Sequence, residues 1–153
     1  MKLSCLAVQE APEAVTTPAQ QKIRLPAGLI GFADFTEAEI VYKSEELPFM
    51  WLKGTGANKF SFIVVEPAGL IRDYEMEISD TDTEVLGIKS PAEAMILNIA
   101  TLHKGQNSQK SRITLNLVGP VIINRQTLKA RQVILNNAQK YSANHLLFES
   151  SAR

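Results

Sequence analysis

The sequence predicts a mainly β fold: a compact antiparallel β-barrel with one or two very short helices. Short runs rich in β-branched and aromatic residues recur along the 153 residues, and Gly, Pro, Asn or charge-rich turns separate them. In Arg112-Ile113-Thr114-Leu115-Asn116-Leu117 the alternation is strict, so one face is core and the other wet. The helical signals are too short to form a layer of their own.

The first strand is faintly traceable in Lys2 to Val8, and residues 9–21, rich in Ala, Pro, Thr, Gln and Glu, read as a loop. Ile23 and Leu25 then alternate with Lys22 and Arg24 as in a half-buried strand, which stops at Pro26-Ala27-Gly28. Further strands are expected over Ile40–Tyr42, Phe49–Lys53, Phe60–Glu66, Tyr74–Ile78, Met95–Leu102, Arg112–Leu117, Val121–Asn124 and Arg131–Leu135. Ser79 can cap a short helix over Asp80–Leu86, with Asp80 and Asp82 in its positively polarised first turn and Gly87 at its exit. Ser90-Pro91-Ala92-Glu93 fits a capping box with Pro at the first helical position, enough for one turn. His103 to Ser111 reads as a hairpin loop, and 147–153 as a flexible tail of a single domain over 1–153.

A hydrophobic content of 45% and a charged content of 21% are ordinary for a folded domain. At this length roughly two thirds of the unfolded surface can be buried. Cys5 is the only cysteine, which excludes an intramolecular disulfide and a Cys-based zinc site and suits a reducing cytoplasm. The apolar stretch at the start is too short for a secretory signal, and no run of apolar residues is long enough to span a bilayer. A cytoplasmic protein without membrane contact is expected.

Net charge is zero, but its distribution is lopsided. Glu66, Asp73, Glu75, Glu77, Asp80, Asp82 and Glu84 face Arg72 alone, whereas Ala94 to Phe148 holds Lys104, Lys110, Arg112, Arg125, Lys129, Arg131 and Lys140 without an acidic residue. Folding can turn this into an acidic and a basic face, or interleave the two stretches until they cancel.

Reactive machinery is thin. His103 and His145 lack a partner motif of the H-E-x-x-H kind, and neither Gly28-x-x-Gly31 nor Gly54-x-Gly56 continues into a phosphate-binding loop. No catalytic residue, metal or cofactor is expected. Asp73, Glu75 and Glu77 alternate along a strand, opposite in face to Tyr74, Met76 and Ile78, and read as an acidic contact surface more readily than as an acid–base pair. The alternative is a sheet-based RNA-binding module using the basic C-terminal half. Against it, no aromatic residue lies between Lys104 and Lys140, where stacking positions would be wanted. In Pro48-Phe49-Met50-Trp51-Leu52, Phe49 and Trp51 share one strand face and Met50 and Leu52 the other, so Trp51 is either covered by the domain itself or an anchor at a protein interface.

Several blocks, in fixed order, resemble the FliW family of flagellar assembly factors: Leu25-Pro26-Ala27-Gly28-Leu29-Ile30-Gly31-Phe32, Pro48 to Leu52, Phe62 to Pro67, Asp73-Tyr74, Ser79-Asp80, Gly119 to Asn124, Gln132 to Leu135, and Tyr141-Ser142 with His145. The chain departs from the family pattern at Lys53-Gly54, Gly119, Asn144 and Leu146. The resemblance implies a non-enzymatic β-barrel that binds CsrA, a small RNA-binding translational repressor, and in many relatives also flagellin, so that the two partners exchange. It implies no direct contact with nucleic acid. The residues expected to meet a partner are Phe49, Trp51, Asp73, Glu75, Glu77, Asn124, Gln132, Tyr141 and His145.

Overall fold

A computed structural model describes residues 1–5, 21–106 and 110–150. Eleven strands and one α-helix are formed among these residues: β1 (Lys2–Cys5), β2 (Gln21–Arg24), β3 (Glu37–Val41), β4 (Met50–Gly54), β5 (Ser61–Val65), β6 (Tyr74–Glu77), α1 (Asp80–Leu86), β7 (Ala94–His103), β8 (Arg112–Leu115), β9 (Val121–Asn124), β10 (Ala130–Gln132) and β11 (His145–Glu149). Every pairing between these strands is antiparallel.

The expected closed barrel is corrected. Hydrogen-bonded neighbours run β10-β9-β7-β5-β4-β3-β2, with β8 and β11 branching from β7, while β1 and β6 form a separate two-stranded sheet. The physical reason is the length of β7. Its first half, from Ala94 to Leu97, pairs with β9, and its second half, from Ala100 to His103, pairs with β8, so the sheet forks where a barrel would continue. The two ends of the long path approach at an isolated parallel bridge between Arg24 and Lys129, where the Arg24 N–H donates to the Leu128 carbonyl at 3.0 Å.

The alternation along β7 builds two cores. Met95 and Leu97 face Ile23, Ile40, Met50, Leu52 and Ile123 inside the curl of the long sheet. Ala94 and Ala100 face the other way, toward Leu3, Tyr74, Met76, Leu86 and Leu115, where β1, β6 and α1 cover the sheet. Strand β9, which meets both cores, is buried at all four positions.

A small polar network docks β6 onto the long sheet. Tyr74, fully buried, donates its hydroxyl to the Leu117 carbonyl and accepts from Asn98 Nδ2 at 3.2 Å; the same Asn98 nitrogen donates to the Asn116 carbonyl at 2.9 Å. Burial pushes the tyrosine hydroxyl well above its ordinary range, against the opposing effect of the Asn98 bond.

The helix and the one-turn element form as expected. Ser79 Oγ accepts the Asp82 N–H at 3.1 Å, and Gly87 leaves α1 in the left-handed region at φ 70. Pro91–Glu93 forms a single 3₁₀ turn; the Glu93 carboxylate takes the Lys89 and Ser90 N–H groups at 2.8 and 2.9 Å, which holds its pKa below the usual range.

Several boundaries differ from expectation: β10 ends at Gln132 and not at Leu135, and β8 at Leu115 and not at Leu117. Strand β3 begins at Glu37, because Glu37 and Glu39 stand opposite Arg24 and Lys22 on β2, and this pairing gives polar residues a place in a sheet. The expected tail over 147–153 is corrected at its start, since His145–Glu149 is β11, paired with β8. A bulge between Leu146 and Phe148 breaks the alternation that would have marked a strand. Of the expected loop over 9–21, only Gln21, the first residue of β2, lies within the described residues; Leu6 to Val8 and 151–153 also lie outside them.

Replacing Tyr74 with Phe removes the hydroxyl that the Leu117 carbonyl accepts from and leaves Asn98 Nδ2 with the Asn116 carbonyl alone. A loss of about 1–3 kcal/mol is expected, read from the urea midpoint of the purified protein at unchanged slope.

Candidate functional site

The nine expected contact residues fall into three places. The first is β6 with the residue that enters it. Asp73 enters it in the left-handed region at φ 55, a conformation Asp tolerates, and is exposed. Glu75 is exposed and Glu77 half-buried, while Tyr74, Met76 and Ile78 point into the core, as the alternation requires. Glu75 and Glu77 stand opposite Ser4 and Lys2 on β1.

The other side of β6 is closed by side chains in place of a strand. Asn137, only 3% exposed, accepts the Glu77 N–H through Oδ1 at 3.1 Å and donates from Nδ2 to the Glu75 carbonyl at 2.9 Å. The Tyr141 hydroxyl accepts the Glu75 N–H at 2.9 Å, and the Asn136 N–H donates to the Glu77 carbonyl at 2.8 Å. Tyr141 also sets its ring edge-on to Tyr74 at 5.0 Å. The amide of Asn137 thus substitutes for a neighbouring peptide group, and Tyr141 joins the acidic row. Nothing in the sequence beyond the turn signal of Asn136-Asn137 marks this cap.

The second place is the face of the long sheet that β1, β6 and α1 cover in part. Val41, Trp51, Ile63, Ala100, Leu115 and His145 are successive partners across six strands, so all share one face. Trp51 is 41% exposed on it, whereas Met50 and Leu52 are fully buried on the other. The expectation that the domain covers both faces of β4 therefore fails at Trp51. Phe49 packs against the core beneath β6, and His145 lies four strands from Trp51, about 19 Å at ~4.8 Å per strand. These residues share a face without forming a pocket.

The third place is a clamp. Gln132 donates to the Gly119 carbonyl at 2.9 Å and accepts the Ile30 N–H at 2.9 Å, tying the turn at Gly28–Gly31 to the entry of β9. Gly28 is required there, because its φ is 68 and an added Cβ would lie 2.5 Å from the Phe32 carbonyl oxygen. Ile30 and Ile134 stand exposed beside the clamp, two residues the sequence did not single out. Asn124, buried, donates to the Leu86 carbonyl at 2.9 Å and accepts from the Gln126 and Thr127 N–H groups. Its burial removes it from direct contact; it holds α1 to the β9–β10 turn.

The acidic and basic stretches meet where Arg131 Nε lies 2.9 Å from Asp82 Oδ1. Charge segregation therefore survives only in part. Among the described residues no group of three or more His, Cys, Asp and Glu is placed to hold a metal ion, and no helix is long and apolar enough to cross a membrane. Burial pushes the Cys5 thiol up to about 11, so at neutral pH it is a core group and not a nucleophile. His103 is engaged with Thr114 Oγ1 at 2.9 Å.

Replacing Gln132 with Ala removes both clamp bonds. Faster hydrogen exchange at the Ile30 amide is expected, with about 1 kcal/mol lower stability, and exchange at Glu75 and Glu77 should be unchanged.

The model of the FliW protein family matches residues 8–147. The chain is similar to the flagellar assembly factor FliW of Leptospira biflexa, at 32% identity over 78% of this chain and 76% of the relative. It is similar to those of Bacillus pumilus, at 32% over 87% and 89%, and Clostridium botulinum, at 33% over 85% and 89%. A crystal structure of the flagellar assembly factor FliW matches with a TM-score of 0.71 over 95% of this chain and 96% of that one; at 24% identity it shares the fold. The chain belongs to the FliW family, whose members are non-enzymatic flagellar assembly factors.

Proposed function

We propose that this protein acts in flagellar assembly by binding and antagonising the translational regulator CsrA, and that it also binds flagellin, so that one partner displaces the other. The observation that carries this reading is the exposed acidic row of Asp73 and Glu75, with Glu77 beside it, on an edge that Asn137 and Tyr141 hold rigid. A basic RNA-binding protein is attracted to such a row by complementary potential. Carboxylates docked near its RNA surface would penalise phosphate binding even without covering it. Trp51, more than one third exposed, is a candidate anchor for a partner, since truncating a buried interface Trp is among the most costly changes a contact can suffer.

The RNA-binding alternative gains no support from the fold. Arg131 is held by Asp82, and the exposed aromatic Phe148 shares its strand with Glu149.

A triple change tests the electrostatic step: Asp73→Asn, which respects the positive φ, with Glu75→Lys and Glu77→Gln. CsrA binding by calorimetry is expected to weaken by about tenfold or more, and the wild-type affinity to fall with added salt. Unaltered CsrA affinity and unaltered release of a CsrA-bound RNA would remove the acidic row from the mechanism.

A further inference from the structure

We propose that the free edge of β11 is a docking site for an extended peptide segment of a partner protein, one that alternates apolar and acidic residues and adds to the sheet as a strand. The inference rests on reading the protein as a protein-binding factor, but not on which partner meets β6.

Among the described residues three other edges are covered at least in part. The outer side of β6 is taken by Asn136, Asn137 and Tyr141; β2 meets the β9–β10 turn at Leu128; β10 lies beside α1, with Arg131 held by Asp82. Strand β11 pairs with β8 on one side and, among the described residues, with no strand on the other. Proteins usually blunt such an edge with Lys, Pro, inward charges or a bulge, and of these β11 carries the bulge. His145-Leu146-Leu147-Phe148-Glu149 has no Lys or Pro, and Leu146 and Phe148 are 51% and 57% exposed.

The bulge serves as an anchor. It leaves Leu147 packed against the core, which fixes the strand while its flanking residues stay open. Phe148 continues a row across the sheet through Ile113 to Leu102, itself 44% exposed, so an added strand would extend an existing apolar row by one residue.

Charge selects the occupant. Lys104, Lys110 and Arg112 are exposed around this edge, and the single carboxylate among them, Glu149, is paired with Lys110 at 3.4 Å. The edge is therefore cationic, opposite in sign to the row on β6. An acidic and apolar segment fits it, and a basic one is repelled.

The full chain, isotopically labelled, is titrated with three short synthetic peptides: alternating Val and Glu, alternating Val and Lys, and a helix-forming peptide with the composition of the first. The Val/Glu peptide is expected to shift and protect amides of residues 145–149 and 111–113. Its affinity should fall by about tenfold in Phe148→Ser and be weakened by salt. The Lys peptide should bind at least about tenfold more weakly. Absence of binding at millimolar peptide, equal binding of the Lys peptide, preference for the helical peptide, or shifts centred away from β11 would each overturn the proposal. CsrA binding by Phe148→Ser is measured in parallel: its retention keeps the reading of β6 intact when the β11 proposal fails, and its loss together with a lowered thermal midpoint marks misfolding, in which case Leu146→Ser, a neutral surface change, carries the same comparison and decides it.

Discussion

The buried contact between Tyr74 and Asn98 is the constraint on which the surface of this protein depends. It joins the small sheet of β1 and β6 to the centre of β7, and through the Leu117 carbonyl it reaches the chain that leaves β8. A polar pair in a core is costly unless its partners are supplied, and here the adjacent Asn116 and Leu117 carbonyls supply two, which tie β6 and β7 to the segment after β8. Because that geometry admits one register of β6 against the long sheet, it also fixes which residues of β6 face water. The acidic row is exposed because Tyr74 is not.

The same tyrosine supports the cap. Its ring meets Tyr141 edge-on, and the Tyr141 hydroxyl then closes one position of the β6 ladder while Asn136 and Asn137 close others. An edge finished by side chains leaves its carboxylates on a rigid surface with no strand beside them. Rigidity suits the proposed binding role, since side chains already ordered cost less to dock. At the other end of the sheet, β11 is left open and the surrounding charge is positive. The molecule thus presents two edges of opposite sign, finished in opposite ways.

Much of the fold is legible in the sequence. Strict alternation marks β8, the β-branched run Val121-Ile122-Ile123 marks β9, and Ser79 with Gly87 brackets α1, because each signal is local. The forking of β7 is not local: nothing in Ala94 to His103 says that its two halves have different neighbours, so an open sheet is hidden behind the pattern of a barrel. Strand β11 escapes detection because its bulge adds a residue and three apolar side chains follow one another. Among the contact residues, the exposure of Glu75 and Trp51 follows from alternation once β4 and β6 are placed. Asn124 and Gln132 are different. Their polar side chains look available in the sequence, yet both are spent on backbone groups distant in the chain, a use that appears only when the segments are brought together.

The central claim is that a rigid acidic edge on β6 meets a basic regulator. Hydrogen exchange on the complex with CsrA locates the contact without altering a residue. Slowed exchange concentrated over 73–77 and 136–141, with β2 to β4 unchanged, is the expected result; protection confined to the long sheet, with β6 exchanging as in the free protein, would contradict it.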